Sequence, residues 1–360
     1  MKHVSEYRDK NLARKLVEAI RSRSRKPIRL MEVCGTHTVA IFRHGIRQVL
    51  PPTVELISGP GCPVCVTATE EIDRAIRLAQ SPEVMITTFG DLVRVPGSHS
   101  SLQQERAGGA DVRMVYSTFE ALKLAQEYPH KKVVFLAIGF ETTAPTIAAA
   151  ILEAQRLGLE NFFILSAHKL LPPALEALLG SGTLNIQGFI YPGHVTTIIG
   201  TSAYEQVARK YGIPGVVCGF EPVDILETIL MLVQQIEAGQ ARVEIQYNRV
   251  VTTEGNTKAM AILEQVFVPC DATWRGLGPI PGSGLTLRDI YRKFAAEDHF
   301  DLRVPPAQDH PGCACGEVLL GAKRPPECRL FRTVCRPDKP IGPCMVSSEG
   351  TCAAYYKYSE

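Results

Sequence analysis

Residues 133–157, VVFLAIGFETTAPTIAAAILEAQRL, decide the fold class of this chain. The stretch opens with a continuous apolar run, Val133–Ile138, of the kind found in strands that are buried on both faces. A turn containing glycine follows, and Thr143–Leu157 then shows the apolar spacing of a helix. Strands buried on both faces belong to parallel sheets covered by helices, so this segment predicts one strand–turn–helix unit of an α/β protein.

The same unit recurs along the chain on both sides of this segment. Apolar runs that end in turns predict strands at Ile28–Val33, Val54–Ser58, Val84–Thr88, Val112–Tyr116, Phe162–Ser166, Ile186–Tyr191 and Val216–Cys218. Helical patterns follow them at Val39–Leu50, Ala68–Gln80, Phe119–Glu127, Pro173–Leu179, Ala203–Tyr211 and Val223–Gly239. Because these strands are too many for one compact sheet, we expect two Rossmann-like parallel-sheet α/β lobes that face a cleft.

The chain length and the change in composition suggest a division into three parts. We expect the N-terminal helix and first lobe over residues 1–118, the second lobe over 119–240 and an extended C-terminal domain over 241–360. Residues 220–240 form the segment where the chain could return to the first lobe. The C-terminal part is rich in proline, glycine and cysteine and is too irregular to build an apolar core of its own. We therefore expect a bound metal or disulfides to stabilise it.

Composition and charge exclude several classes of function. Apolar residues make up 45% of the chain and the formal net charge is only +2, so we expect no nucleic-acid partner. No apolar run is long enough for a transmembrane helix, and the charged N-terminus does not resemble a signal peptide, so we expect a cytoplasmic protein. Since thiols stay reduced in the cytoplasm, the eleven cysteines point to metal binding or redox chemistry rather than to a disulfide framework.

More than half of these cysteines lie near the C-terminus, at Cys313, Cys315, Cys328, Cys335, Cys344 and Cys352. Zinc sites usually contain paired C-x2-C knuckles, whereas these spacings are long and irregular. The pattern therefore favours an iron–sulfur cluster over structural zinc or unbonded buried thiols. A cluster with four thiolate ligands leaves two cysteines, which suggests a disulfide that exchanges electrons with it.

Two further cysteine motifs follow predicted strands. Cys62-Pro63-Val64-Cys65 opens a helix, where the positive helix end and free N–H groups favour thiolate, so we interpret this pair as redox-active rather than as half a zinc knuckle. Cys34 and His37 follow the first strand, and a soft thiolate there is well suited to iron with strong-field ligands. A lone cysteine at a strand end is more often an inert buried residue. Cys34 is favoured as a functional residue because it lies at the same sheet edge as the other candidates.

Polar residues cluster after several of the predicted strands. Besides the two cysteine motifs they are Asp91, Glu141, His168, His194 and Glu221. Ligands of open parallel sheets bind outside the carboxyl ends of the strands, so this shared edge predicts the functional cleft. The sequence contains no G-x-x-x-x-G-K-[ST] and no G-x-G-x-x-G motif, so it does not support nucleotide binding.

These motifs together resemble the HypD family of hydrogenase maturation factors. The resemblance covers nearly the whole chain and rests on EVCGTH at 32–37, SGPGCPVC at 58–65, GFETTAPT at 139–146, SAHKL at 166–170, YPGHV at 191–195, GFEP at 219–222 and the tail segments CACGEVLLG and GPCMVSSEGTCAAYY. It implies two α/β domains and an extended domain that holds a 4Fe–4S cluster. It also implies a role, with a HypC-type small chaperone and a HypE-type cyanide donor, in assembling the Fe(CN)2CO unit of NiFe-hydrogenases.

The resemblance also assigns roles to individual residues. The cluster ligands would be Cys313, Cys328, Cys335 and Cys352, in a C-x14-C-x6-C-x16-C frame. On sequence grounds alone, either Cys313 or Cys315 could reach the cluster. The spare redox pair would be Cys315 and Cys344, an arrangement similar to ferredoxin–thioredoxin reductase.

In the cleft, Cys34 matches the cysteine that holds the iron carrying CN and CO, with His37 nearby, and Cys62 and Cys65 match an exchangeable thiol pair. Glu141 and His194 are candidates for donating protons or orienting the diatomic ligands. We therefore expect an assembly scaffold with redox activity rather than a conventional turnover enzyme. A freestanding cluster-dependent thiol–disulfide reductase is the main alternative, and a zinc-stabilised binding protein is a third.

Overall fold

The computed structural model describes residues 6–182 and 184–359, and its first eight strands lie within or beside the predicted apolar runs. In chain order the strands are β1 (Ile28–Glu32), β2 (Val54–Ser58), β3 (Val84–Thr88), β4 (Val112–Met114), β5 (Lys132–Ala137), β6 (Phe162–Ser166), β7 (Gly188–Pro192), β8 (Gly215–Cys218), β9 (Val243–Ile245), β10 (Phe267–Trp274) and β11 (Gly278–Leu287).

Helices occupy most of the connections between these strands. They are α1 (Lys10–Arg23), α2 (Gly35–Arg43), α3 (Ile46–Val49), α4 (Pro63–Val66), α5 (Thr69–Ala79), α6 (Leu102–Ala107), α7 (Thr118–Glu127), α8 (Ala144–Arg156), α9 (Leu171–Gly180), α10 (Gly193–Ile199), α11 (Ser202–Tyr211), α12 (Pro222–Glu237), α13 (Thr257–Val266), α14 (Cys315–Leu319), α15 (Pro343–Val346) and α16 (Thr351–Tyr358). The single helix predicted over Val39–Leu50 is two helices, because Gly45 adopts a left-handed conformation (φ 62°) between them. Within the described ranges, no helix is long and apolar enough to cross a membrane.

Two parallel sheets carry the architecture and confirm the predicted α/β class. The first sheet has the strand order β2-β1-β7-β8-β9, and the second has the order β4-β3-β5-β6. All neighbours within these two sheets are parallel. Strands β10 and β11 form a separate antiparallel hairpin.

The two sheets do not coincide with the predicted boundaries at residues 118 and 240. The first sheet takes β1 and β2 from the start of the chain and then β7, β8 and β9 from beyond residue 187, while β3 to β6 form the second sheet. The chain therefore leaves the first sheet after β2 and returns to it at β7, earlier than expected. Hydrophobic periodicity predicts where a strand lies, but it does not encode which strand becomes its neighbour.

The first sheet is buried on both faces by different parts of the chain. On one face Leu30 and Ile190 pack with Ile20 of α1 and Ile229 of α12. The other face packs with α9, with the hairpin and with the cysteine-rich tail, whose buried members there include Cys315, Val318, Leu319, Cys335, Cys344, Met345 and Cys352. The tail thus has apolar contacts with the sheet, which its irregular composition did not predict.

The hairpin joins the two sheets. Phe267 and Leu287, at its open end, belong to the apolar cluster of the second sheet, whereas Trp274, near the turn, belongs to that of the first. The Trp274 ring stacks on Phe140, which follows β5, at a centroid distance of 5.9 Å. The hairpin therefore spans both apolar cores.

Candidate functional site

The Cys34 turn lies at the carboxyl end of β1 and begins α2. Cys34 is the extended residue before the helix (φ −149°, ψ 123°), and it is 8% exposed. The turn after β2 packs directly against it, because the N–H of Gly35 donates to the carbonyl of Gly61 at 2.9 Å. A Cβ atom at Gly61 would overlap the backbone nitrogen of Cys34, so only glycine permits this approach.

A buried carboxylate forms hydrogen bonds with the same turn. Glu32, with no exposed surface, accepts hydrogen bonds from the N–H of Cys34 at 3.2 Å and from the hydroxyl of Thr38 at 2.6 Å. Burial raises the pKa of Glu32 to about 7. The quoted EVCGTH motif includes this residue, but the sequence alone assigned it no role.

Burial also controls the chemistry of the Cys34 thiol. It raises the pKa of Cys34 to about 12, and the neighbouring carboxylates of Glu349 and Glu32 add to that effect. The thiol is therefore protonated at neutral pH in the metal-free chain. A bound cation stabilises thiolate, so a metal ion that bound here would release a proton.

Two histidines sandwich one aromatic ring beside this turn. His37, fully buried, stacks on Phe220 with a centroid distance of 4.7 Å, and His194 stacks on Phe220 at 3.9 Å. The His37 Nε2 atom lies 2.9 Å from the carbonyl oxygen of Gly219 and donates to it. Because burial lowers the pKa of His37 to about 4, the ring is neutral, and its Nδ1 lone pair has no hydrogen-bond partner among the described residues.

The Cys62-x-x-Cys65 motif is oxidised and buried. Cys62 and Cys65 form a disulfide with a Cα–Cα distance of 5.2 Å, and they are 3% and 1% exposed. Cys62 precedes the short helix α4, as predicted for a pair at a helix start. The Cys65 sulfur also contacts the tail, since it lies 4.0 Å from the carbonyl oxygen of Pro343, the residue before Cys344. The disulfide therefore lies between the Cys34 turn and the tail.

Glu141 is a second buried carboxylate, after β5. One oxygen accepts the N–H of Leu171 at 2.9 Å, while Oε2 has no hydrogen-bond partner among the described residues. Burial raises the pKa of Glu141 to about 7, so the group is partly protonated at neutral pH. Burial raises the pKa of the Tyr204 hydroxyl well above its usual range, and Glu141 adds to that effect.

The tail brings its cysteines together. The Cys315 thiol is within hydrogen-bonding reach of Cys313, Cys344 and Cys352, and the contact with Cys315 lowers the pKa of Cys313 to about 7. The Cys335 sulfur accepts the N–H of Ile341 at 3.4 Å. Burial raises the pKa of Cys335, and Cys313 and Cys328 add to that effect.

The donor set fits an iron–sulfur cluster by its chemistry. The tail offers six thiols, and thiolates are the usual ligands of such clusters. Four of these thiols lie within reach of one another, those of Cys313, Cys315, Cys344 and Cys352. Gly342 faces them closely: a Cβ atom there would lie 2.5 Å from the Cys315 sulfur and 2.7 Å from the Cys313 sulfur. In residues 6–182 and 184–359, no group of three or more His, Cys, Asp or Glu side chains is already arranged to hold a metal ion. The tail thiols instead contact one another.

Two of the residues predicted at the shared edge have contacts of a different kind. His168, after β6, is buried against Phe267 of the hairpin. Glu221, before α12, forms an ion pair with Arg8, with a second hydrogen bond of 2.8 Å. Both follow strands as predicted, but these contacts are with the hairpin and the N-terminal segment rather than with the Cys34 turn.

Comparison with known proteins places this arrangement in one family. The sequence model of HypD, described as "Hydrogenase formation hypA family", matches residues 11–359. The chain belongs to the HypD family. It is 50% identical to the hydrogenase maturation factor HypD of Azotobacter vinelandii, over 99% of this chain and 97% of that protein. It is 48% identical to HypD of Escherichia coli K12, over 100% of this chain and 99% of that protein.

A third relative is similarly close. The hydrogenase maturation factor HypD2 of Bradyrhizobium diazoefficiens is 48% identical over 99% of this chain and 97% of that protein. These matches confirm the family that the sequence motifs indicated. In this HypD chain the structure adds residues that motif reasoning did not single out, above all Glu32, Phe220 and Glu349. Only contacts in three dimensions reveal them, since Phe220 and Glu349 are distant from Cys34 in sequence.

Proposed function

We propose that this chain is a maturation factor that holds iron at Cys34 while the Fe(CN)2CO unit of NiFe-hydrogenases is assembled. The observation that carries the proposal is the backbone contact of Gly35 with Gly61, 2.9 Å from N to O, which sets the buried Cys34 thiol beside the turn that carries Cys62 and Cys65. Iron is the cargo of this site. A HypC-type chaperone would supply a second thiolate, and a HypE-type protein would supply cyanide.

The residues around Cys34 have roles that follow from their protonation states. Iron binding releases the thiol proton of Cys34, whose pKa of about 12 makes loss without a metal unfavourable. His37 is neutral and its Nδ1 lone pair has no partner among the described residues, so it can accept a proton or a hydrogen bond there. His194, which is exposed, and Glu141 are the proposed proton donors or orienting groups for the diatomic ligands.

The tail is the proposed cluster domain. Cys313, Cys328, Cys335 and Cys352 would hold a 4Fe–4S cluster, which when bound supplies single electrons to neighbouring thiols. Cys315 and Cys344 would be the redox pair. Their mutual contact, and the contacts of Cys315 with Cys313 and Cys352, support this assignment.

A thiol–disulfide exchange would connect the tail with the cleft. Cys344 gives up its proton and attacks the Cys65 sulfur, the Cys62–Cys65 bond breaks, and the Cys62 sulfur takes up a proton. Cys315 then gives up its proton and attacks the Cys344 sulfur of the mixed disulfide, and Cys65 leaves and is protonated. One disulfide and two thiols are present both before and after the exchange, so it needs no additional oxidant or reductant. Support comes from the position of the pair, since the Cys65 sulfur lies 4.0 Å from the carbonyl oxygen of Pro343, the residue before Cys344.

The burial of the disulfide bears on the alternative function. A freestanding thiol–disulfide reductase must present its cysteine pair to a protein substrate. Here Cys62 and Cys65 are almost without exposed surface, so a large substrate has no access without rearrangement. An internal relay that serves an iron site is compatible with this burial.

Complementation of a strain that lacks its own HypD tests the proposal. We expect Cys34→Ser to abolish the formation of active hydrogenase, because an alcohol is a poor ligand for this iron. Cys218→Ser is the matched control: Cys218 is also buried at the end of a strand of the same sheet, and its thiol donates to the carbonyl of Gly219. Normal maturation with Cys34→Ser would refute the proposed iron site.

The cluster assignment has its own test. Cys335→Ser and Cys352→Ser should lower the iron and sulfide content of the anaerobically purified chain, whereas Cys270→Ser, outside the tail, should leave it unchanged. A colourless wild-type chain that contains zinc would favour the zinc-stabilised alternative. Retention of full iron and sulfide in both tail variants would refute the ligand set.

A further inference from the structure

Glu349 links the cysteine-rich tail to the Cys34 turn by direct contact. Its carboxylate accepts a hydrogen bond from the Thr36 hydroxyl at 2.6 Å. Its backbone lies against Gly35, where an added Cβ atom would be 2.5 Å from Glu349 Cβ and 2.7 Å from its carbonyl oxygen. Gly35 and Thr36 are the two residues that follow Cys34, so Glu349 covers the turn that presents this thiol.

The position of Glu349 depends in turn on the tail cysteines. It lies between Cys344 and Cys352, and its N–H donates to the Ser347 hydroxyl at 3.2 Å. The next residue, Gly350, packs so tightly on the carbonyl of Cys344 that a Cβ atom would overlap it. A change in the positions of Cys344 or Cys352 would therefore move Glu349.

The other end of α2 contacts the same segment of the tail. Phe42, near the end of the helix, packs on Tyr355 of α16 with a centroid distance of 4.3 Å. The guanidinium of Arg47 lies 4.7 Å from the Phe42 ring centre and 5.6 Å from that of Tyr355. Residues 347–355 thus hold both ends of the helix that starts after Cys34.

We propose that Glu349 is a positioning residue that couples occupancy of the tail cysteines to the order of the Cys34 turn. The inference rests on the proposed function, because it assigns a cluster to the tail and iron to Cys34. With the tail assembled, Glu349 holds Thr36 and Gly35, and the thiol has a fixed direction. Without an assembled tail, the turn loses its contacts with Glu349 and keeps those with Glu32 and Gly61. Iron would then be accepted only by a chain whose electron supply is complete.

Hydrogen exchange of the full chain, followed by mass spectrometry, tests this coupling. The reporters are the amides of Gly35 and Thr38, which are bonded to the carbonyls of Gly61 and Cys34. In the wild type, we expect removal of the cluster to speed their exchange roughly tenfold, the factor equivalent to about 1.4 kcal/mol. In Glu349→Ala these amides should exchange at the faster rate whether or not the cluster is bound.

Three further variants distinguish a positioning role of Glu349 from a general destabilisation of the fold. Glu349→Gln keeps an acceptor for Thr36 and should restore the dependence on the cluster. Thr36→Val removes the same hydrogen bond without altering the tail and should behave like Glu349→Ala. Glu317→Ala, which removes an exposed tail ion pair with Lys323, should retain the wild-type response. Protection of the amides of β5, in the second sheet, verifies that each variant is folded.

The outcomes distinguish this inference from the function on which it rests. A chain that binds no cluster, shown by its iron and sulfide content, refutes the proposed cluster and the coupling together. A chain that binds the cluster but exchanges Gly35 and Thr38 at an unchanged rate refutes the coupling alone. Cluster-dependent exchange that persists in Glu349→Ala would show that another contact transmits the signal, and would also overturn the proposal.

Discussion

At the scale of single residues, the site depends on a few atoms that are packed without spare room. Gly61 touches the backbone of Cys34, and Glu32 and Glu141 are carboxylates buried with few partners. The motifs around Cys34 and Cys62 were predictable because soft thiols after strands are chemically distinctive. Glu349 was not, because nothing in its local sequence reveals a contact with Thr36.

Gly61→Ala tests the close approach of the two turns. The new Cβ would meet backbone atoms, which cannot rotate away, so we expect a loss of about 1–3 kcal/mol in the apparent free energy of unfolding in urea. Gly90→Ala is the control, since a Cβ there meets only the Met114 sulfur, at 3.7 Å. Equal stability of the two variants would contradict the packing described here.

The buried Glu141 predicts a pH dependence with a definite sign. Its pKa is about 7 in the folded chain against an ordinary 4.5, so the folded state binds the proton more tightly. Stability from this group is fully present below pH 4.5 and is lost as the pH rises to 7, by up to about 3 kcal/mol in total. Glu141→Gln removes this loss. The free energy of unfolding of the variant, relative to that of the wild type, should therefore increase from pH 5 to pH 8.

Parallel measurements of both proteins at these two pH values cancel the contributions of the other groups. In Glu141→Gln the side-chain amide oxygen can still accept the N–H of Leu171, which limits other changes. A difference between wild type and Glu141→Gln that does not vary with pH would contradict a raised pKa for this carboxylate.

At the scale of elements, the parallel strands were predictable and the hairpin was not. Strands such as β5 are continuous apolar runs because both faces are buried. Strand β11, GPIPGSGLTL, contains three glycines and two prolines, which are typical of a loop. Its partner β10 and the packing of Trp274 compensate for this poor local propensity.

Ser283→Ala tests the closure of the hairpin. The Ser283 hydroxyl, fully buried, accepts the indole N–H of Trp274 at 2.9 Å. Its removal leaves a buried donor without a partner, so we expect the apparent free energy of unfolding to fall by about 1–3 kcal/mol. Because Trp274 is the one tryptophan in the sequence, its fluorescence reports this unfolding directly. An unchanged transition midpoint would contradict a structural role for this hydrogen bond.

At the scale of the whole molecule, strand membership and the position of the tail lie beyond sequence patterns. The pairing of β1 with β2 brings the Cys34 and Cys62 turns side by side, and β7 and β8, more than a hundred residues later in the chain, bring His194 and Phe220 to the same edge. The tail then packs on that sheet and reaches the same turn through Glu349. The proposed function therefore depends on the assembly of distant segments around one thiol.

Infrared spectroscopy tests that claim most directly. The chain is purified anaerobically with the proposed HypC-type partner, and the cyanide and carbonyl stretching regions are recorded. We expect bands from both ligands that are lost in Cys34→Ala and kept in Cys218→Ala. Bands that persist in Cys34→Ala would contradict the iron site. An absence of bands from a wild-type complex with an intact cluster and reducible thiols would favour the thiol–disulfide reductase.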